Sequence, residues 1–158
     1  MSAELQIDTP GDRELVVKRV FDAPPQLVFE AWTTPALLRQ WYGPRGWSLV
    51  VCEIDLRVGG AWRFVSRQPS GREVGQRGTY REIVPGVRIV QTERWEDWDP
   101  GEALVTTLFE PLAGKTALTH TTLFPSHEVR ETLLRSGLND GTAETYARLD
   151  ELVTARRS

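Results

Sequence analysis

The sequence predicts an α+β domain: a curved seven-strand antiparallel sheet around one long C-terminal helix, with two short helices after the first strand. Three observations carry this expectation. Between Trp47 and Phe124, apolar stretches alternate with turn residues at short intervals, the pattern of a strand meander. From Leu138 onward the apolar spacing lengthens to three and four residues, the helical period. No repeat, long linker or low-complexity segment interrupts the 158 residues, so one core of ordinary size suffices.

In chain order, residues 1–13 form a flexible N-terminal segment and the single domain spans 14–155. "ELVVKRVF", Glu14 to Phe21, is the first strand. "DAPPQLVFEAW" opens a helix on Pro24 and Pro25, which suit a first turn whose N–H groups have no intrahelical partner. Its apolar stripe is Leu27, Val28, Ala31 and Trp32. Thr34 as N-cap and Pro35 as first helical residue start a second short helix, and Gly43, Pro44 and Gly46 end it.

Six strands follow, separated by Gly59-Gly60, "QPSGR", Pro85-Gly86, Asp99-Pro100-Gly101 and Ala113-Gly114. Ser126 then caps "SHEVRETLLRSG", with Glu128 in the first turn where the helix dipole favours an anion. On the last helix Leu138, Thr142, Thr145, Tyr146, Leu149, Leu152 and Val153 share one face, while Glu144, Arg148, Glu151 and Arg156 fall mostly opposite. The sheet is the only large apolar surface available to that face.

Composition narrows the function. A net charge of −3 argues against a duplex nucleic-acid partner, which needs a surplus of Lys and Arg on one face. No apolar run reaches the roughly 18 residues of a membrane span. "MSAELQIDTPGDRE" lacks the basic-then-apolar pattern of a signal peptide, so the expected location is cytoplasmic. Cys52 is the only cysteine and sits in the apolar run "SLVVCEIDL", where it reads as a small buried hydrophobe. No His/Cys/Asp cluster has metal-ligand spacing, and the glycine pairs lack the strand, loop and helix context of a phosphate cradle. Neither a metal nor a cofactor is expected.

The succession "VFDAPPQLVFEAWTTPALLRQWYGP", "EIDLRVGGAWRF", "GTYREIVPGVRIVQTE" and the closing helix resembles the activator of heat-shock-protein-90 ATPase-like branch of the START-like (SRPBCC, Bet v 1-like) superfamily, over essentially residues 14–155. The resemblance implies the helix-grip fold, in which sheet and long helix enclose a hydrophobic cavity closed at one end by the two short helices. That superfamily includes lipid and hormone binders, polyketide cyclases and co-chaperone domains, so fold alone does not choose among them. Where many relatives carry a Gly-Trp pair leading into the last helix, this chain has Gly141-Thr142, and the ligand of no particular relative is carried over.

Three functions follow as expectations: non-catalytic binding of a hydrophobic, aromatic or lipid-like molecule; a cyclase- or hydrolase-type enzyme using Glu93, His120 or Tyr146; and docking on a chaperone, with a link to the stress response. The first has most support, because pockets are mostly apolar with a few orienting polar groups. Its candidate residues are Trp41, Trp62, Phe64, Tyr80, Glu93, Trp95, Phe109, Leu118 and His120, with Leu138, Thr142 and Tyr146 on the helix opposite. Trp32 reads mainly as core, and Trp41 as packing and cavity lid at once. Glu93 shares a strand face with Ile89, Gln91 and Trp95, and alternation alone leaves open whether that face is inward.

Overall fold

The computed structural model describes residues 5–157, apart from the side chains of Leu138 and Asn139. Eight strands form one antiparallel sheet: β1 (Gln6–Asp8), β2 (Glu14–Phe21), β3 (Ser48–Ile54), β4 (Ala61–Arg67), β5 (Glu73–Val84), β6 (Arg88–Trp95), β7 (Ala103–Leu112) and β8 (Lys115–Leu123). Their order is β1-β2-β8-β7-β6-β5-β4-β3, so the expected six-strand meander is intact and β2 lies beside its last strand. The helices are α1 (Pro25–Thr33), α2 (Pro35–Trp41), α3 (His127–Arg135) and the 20-residue α4 (Leu138–Arg157).

The strand count is eight rather than seven. The extra strand, β1, lies inside the segment expected to be flexible and pairs antiparallel with Val16–Lys18 of β2. Three residues are too few for an alternation signal, and what holds them is remote in sequence. Arg130 on α3 is 6% exposed, and its Nη1 donates to the backbone carbonyls of Gly11 at 2.9 Å and Glu14 at 3.2 Å. A buried guanidinium thus collects carbonyls from the loop between β1 and β2.

Cross-strand partners share a face, so the register fixes which side each residue takes. Leu15, Val17 and Phe21 of β2, Leu118 of β8, Phe109 of β7, Ile89 of β6, Tyr80 of β5, and Trp62 and Phe64 of β4 all belong to one buried cluster on the concave face. Tyr146, Leu149 and Val153 of α4 complete it. Irregular pairing between Leu49 and Val51 and between Tyr80 and Glu82 bends the sheet around the helix.

A close approach at Gly78 tightens the same region. A Cβ there would lie 1.9 Å from the Thr92 carbonyl oxygen, which accepts the Trp62 indole N–H at 3.1 Å. The Thr92 hydroxyl meanwhile accepts the Thr79 N–H at 2.9 Å, so side chains replace ladder bonds between β5 and β6.

Prolines start the first two helices, as expected, but the Thr34 side chain makes no capping bond. Its carbonyl accepts from the N–H groups of Leu37 and Leu38, each at 2.9 Å, so backbone and the fixed φ of Pro35 define the start of α2. Ser126 does cap α3, accepting the Val129 N–H at 3.2 Å. Arg148, expected on the outer face of α4, ties the loop after α2: its Nη1 donates to the Gly43 carbonyl at 2.7 Å and its Nη2 to that of Gln40 at 2.9 Å.

Arg130→Met keeps much of the side chain's bulk and removes the donors, leaving the carbonyls of Gly11 and Glu14 without them. A loss of about 2 kcal/mol in urea unfolding is expected, with faster amide exchange concentrated at residues 6–18. Uniform exchange across the sheet would contradict this assignment.

A candidate ligand site on the concave face

The helices do not cover the concave face evenly. The main contacts of α1 with the sheet are to β7 and β8, those of α2 to β3, and those of α4 to β2, leaving β4, β5 and β6 without a comparable helix contact. Phe64, Gln76 and Trp95 are direct cross-strand neighbours across β4, β5 and β6, and Glu93 lies one pleat along from Trp95. Gln76, Gln91, Glu93 and Trp95 all point inward yet keep partial exposure, whereas Phe64 and Tyr80 beside them are buried. The strip they form is accessible.

A polar chain runs along this strip. Tyr42, just beyond α2, packs edge-on against Phe64 with ring centroids 5.1 Å apart, and its hydroxyl donates to Gln76 Oε1 at 3.0 Å. Gln76 Nε2 in turn donates to Glu93 Oε1 at 3.4 Å. Burial pushes the Glu93 carboxyl up from 4.5 to about 7. Burial, then the charges of Glu93 and Cys52, push the Tyr42 phenol well above its usual range. The Cys52 thiol is raised by burial to about 11, with Arg39 opposing, so it is no nucleophile at neutral pH.

A second group lies deeper. The Trp32 ring stacks on His120 with centroids 5.2 Å apart and meets Tyr146 edge-on at 6.3 Å. His120 Nδ1 is 3.0 Å from the Thr107 hydroxyl, and burial lowers its imidazole from 6.5 to about 4, so it is neutral at physiological pH. The Tyr146 hydroxyl and the Trp32 indole N–H are buried without a hydrogen-bond partner among the described residues.

The candidates separate accordingly. Phe64, Tyr80, Glu93, Trp95, His120 and Tyr146 all face the concave side. Trp62 does too, but it is 2% exposed and committed to the Thr92 carbonyl. Phe109 and Leu118 are each 1% exposed; Phe109 packs under Phe29 of α1. Thr142 is half-buried on α4, and the side chain of Leu138 lies outside the described residues. The two helix tryptophans both pack with the core, Trp41 within it and Trp32 against it. Trp41 is 1% exposed with its indole donating to the Ala31 carbonyl at 2.9 Å, a wedge between α1 and α2 and no lid, while Trp32 keeps accessible surface. Sequence reasoning missed Tyr42 and Gln76. Gln76 shares strand parity with Tyr80, a usable signal, but its meeting with Tyr42 depends on where α2 ends.

A hollow of about 580 Å³ lies on the opposite, outer face, lined by Arg63, Arg77, Thr79 and Arg94 among others. Glu96 pairs with Arg63, and Asp99 and Glu102 with Arg94, so most of its charge is neutralised in place. Among the described residues no group of three His, Cys, Asp or Glu side chains is placed to hold a metal ion, and no helix is long and apolar enough to cross a membrane.

An open antiparallel sheet gripping one long helix, with an accessible polar strip on its concave face, defines the START-like class of ligand-binding or co-chaperone-like domains. Residues 22–154 match the family described as Activator of Hsp90 ATPase homolog 1-like protein, and the chain belongs to that family. A solved protein from Rhodobacter sphaeroides is 32% identical, with 96% of this chain and 99% of that one covered and a TM-score of 0.88. One from Nitrosomonas europaea is 25% identical over 94% and 98% of the two chains, with a TM-score of 0.84. The AHSA1 protein of Silicibacter pomeroyi, 23% identical over 90% and 99% with a TM-score of 0.74, shows the shared fold alone. No curated protein matches the sequence.

The shifts of Glu93 and His120 act on stability with opposite signs. Glu93 holds its proton more tightly when folded, so its contribution is complete below about 4.5 and is lost as pH rises through about 7. His120 holds its proton less tightly when folded; its contribution is complete above 6.5 and is lost as pH falls toward 4. Glu93→Gln removes only the first slope. Its stability relative to wild type should increase by on the order of 2 kcal/mol between pH 4 and pH 8, measured by urea unfolding at each pH. A difference independent of pH would place Glu93 in water.

Proposed function

We propose that the domain binds a small hydrophobic molecule, aromatic or lipid-like, on the concave side of the sheet and releases it unchanged. The accessible strip along β5 and β6 carries this reading: the inward-facing Gln76, Gln91, Glu93 and Trp95 retain surface there, beside the buried rings of Phe64 and Tyr80. Apolar walls supply burial, and the Tyr42–Gln76–Glu93 chain supplies orientation.

Carriage is favoured over catalysis by what the polar groups do. His120 bonds Thr107 and not a carboxylate, so no imidazole–carboxylate pair is assembled. Cys52 is a thiol, and the Tyr42 and Tyr146 phenols are held neutral by burial. The cytoplasm is the compartment in which this reading places the domain.

Mass spectrometry of small molecules extracted from the purified protein, joined to a thermal-shift screen of hydrophobic compounds, tests this reading. A binder gains about 2.7 kcal/mol at a hundredfold excess of ligand over its dissociation constant and leaves the compound intact. No co-purifying compound and no shift would remove its support. Tyr146→Phe refines the assignment. Deleting a buried hydroxyl that has no partner among the described residues should leave stability equal or raise it by about 1 kcal/mol. If that hydroxyl meets the ligand, affinity for a compound identified in the screen should fall about tenfold in calorimetry.

A further inference from the structure

Glu93 is the acidic group of the concave strip, and among the described residues it has no ion-pair partner. By contrast, Glu96 is paired with Arg63, Glu82 with Arg88, and Asp150 of α4 with Arg19. Glu93 accepts one hydrogen bond from Gln76 through Oε1, and no bond to its Oε2 is formed among the described residues. Aromatic residues share the strip with it. Trp95 follows it on the same strand face, and Phe64 and Tyr42 flank Gln76.

A carboxylate edge left open on a strip that also carries aromatic rings matches one chemical class of ligand better than others. A protonated amine supplies N–H donors to the carboxylate and a positive charge to the rings, whose faces attract cations. A carboxylate-bearing ligand would meet repulsion there, and a neutral alcohol would gain one hydrogen bond to the carboxylate but no ion pair. Resting on the concave-face reading above, we propose that the ligand of this domain carries a protonated amine on a hydrophobic body, and that Glu93 Oε2 is the atom that selects it.

Affinity for such a ligand then depends on pH through Glu93. The other titratable groups of the concave face are Tyr42 beyond α2, Cys52 on β3, Tyr80 on β5, His120 on β8 and Tyr146 on α4, and burial keeps each neutral between pH 6 and pH 8. Of the nearby cations, Arg19 is bonded to Asp150 and the Tyr146 carbonyl, and the influence of Arg39 falls on Cys52. Glu93, raised to about 7, is the group whose charge changes. A simple amine keeps its proton throughout this range, so its binding should strengthen as pH rises and Glu93 ionises.

Isothermal titration calorimetry with phenethylamine, phenethyl alcohol and hydrocinnamate on the full chain tests the proposal. At pH 8 the amine should bind about tenfold or more tightly than the alcohol and the acid most weakly, and amine affinity should drop about tenfold at pH 6 while that of the alcohol does not change. Glu93→Gln, an isosteric change, should abolish the amine's advantage and its pH dependence together. If amine and alcohol bind equally, or the preference persists in Glu93→Gln, the amine assignment is wrong and concave-face binding stands. If none of the three compounds binds, both are wrong.

Discussion

One helix has to cover a sheet far wider than itself. Eight strands spaced at about 4.8 Å make a surface on the order of 35 Å across, while a helix with its side chains is about 10–12 Å thick. Curling reduces the mismatch and the large rings of Phe21, Trp41, Tyr80 and Phe109 fill much of the remainder. The short helices divide the rest, α1 over β7 and β8 and α2 over β3. The strip along β5 and β6 is the residue of that division. Polar side chains persist there because contact with water, or with something that replaces water, costs them nothing.

Much of this fold was legible in the sequence because it rests on local chemistry. Turn residues at fixed places cut the meander, Pro25 and Pro35 fixed two helix starts, Ser126 capped a third, and the period change after Leu138 announced α4. The three-residue β1 was not legible, since the groups that anchor it come from Arg130, more than a hundred residues away. The site was legible in part. Its aromatic content was plain, but an alternating strand has two faces, and only the pairing of Phe64 with Gln76 and Gln76 with Trp95 places Glu93 on the inward one. The different settings of Trp32 and Trp41 have the same origin. Both occupy helical apolar positions, and the crossing of α1 and α2 decides which of them is wedged and which stacks on His120.

Arginine does two different jobs in this structure. On the sheet's outer surface, pairs such as Arg67 with Glu73 and Arg57 with Asp55 are well exposed and contribute little each. Arg19, Arg130 and Arg148 instead turn their guanidinium groups toward backbone carbonyls, where a planar set of donors satisfies acceptors that no regular element reaches. These three join pieces that sheet and helix bonds leave separate: the edge strand, the inner face of α4, and the loop after α2.

The clamp formed by Arg148 bears on traffic rather than on holding. Because Gln40 and Gly43 are both fastened to the middle of α4, the loop after α2 and that helix form one mechanical unit, and Arg45 adds an N–H bond to Glu144 of α4 at 3.0 Å. A doorway hinged on that loop would have to break all of these contacts at every passage.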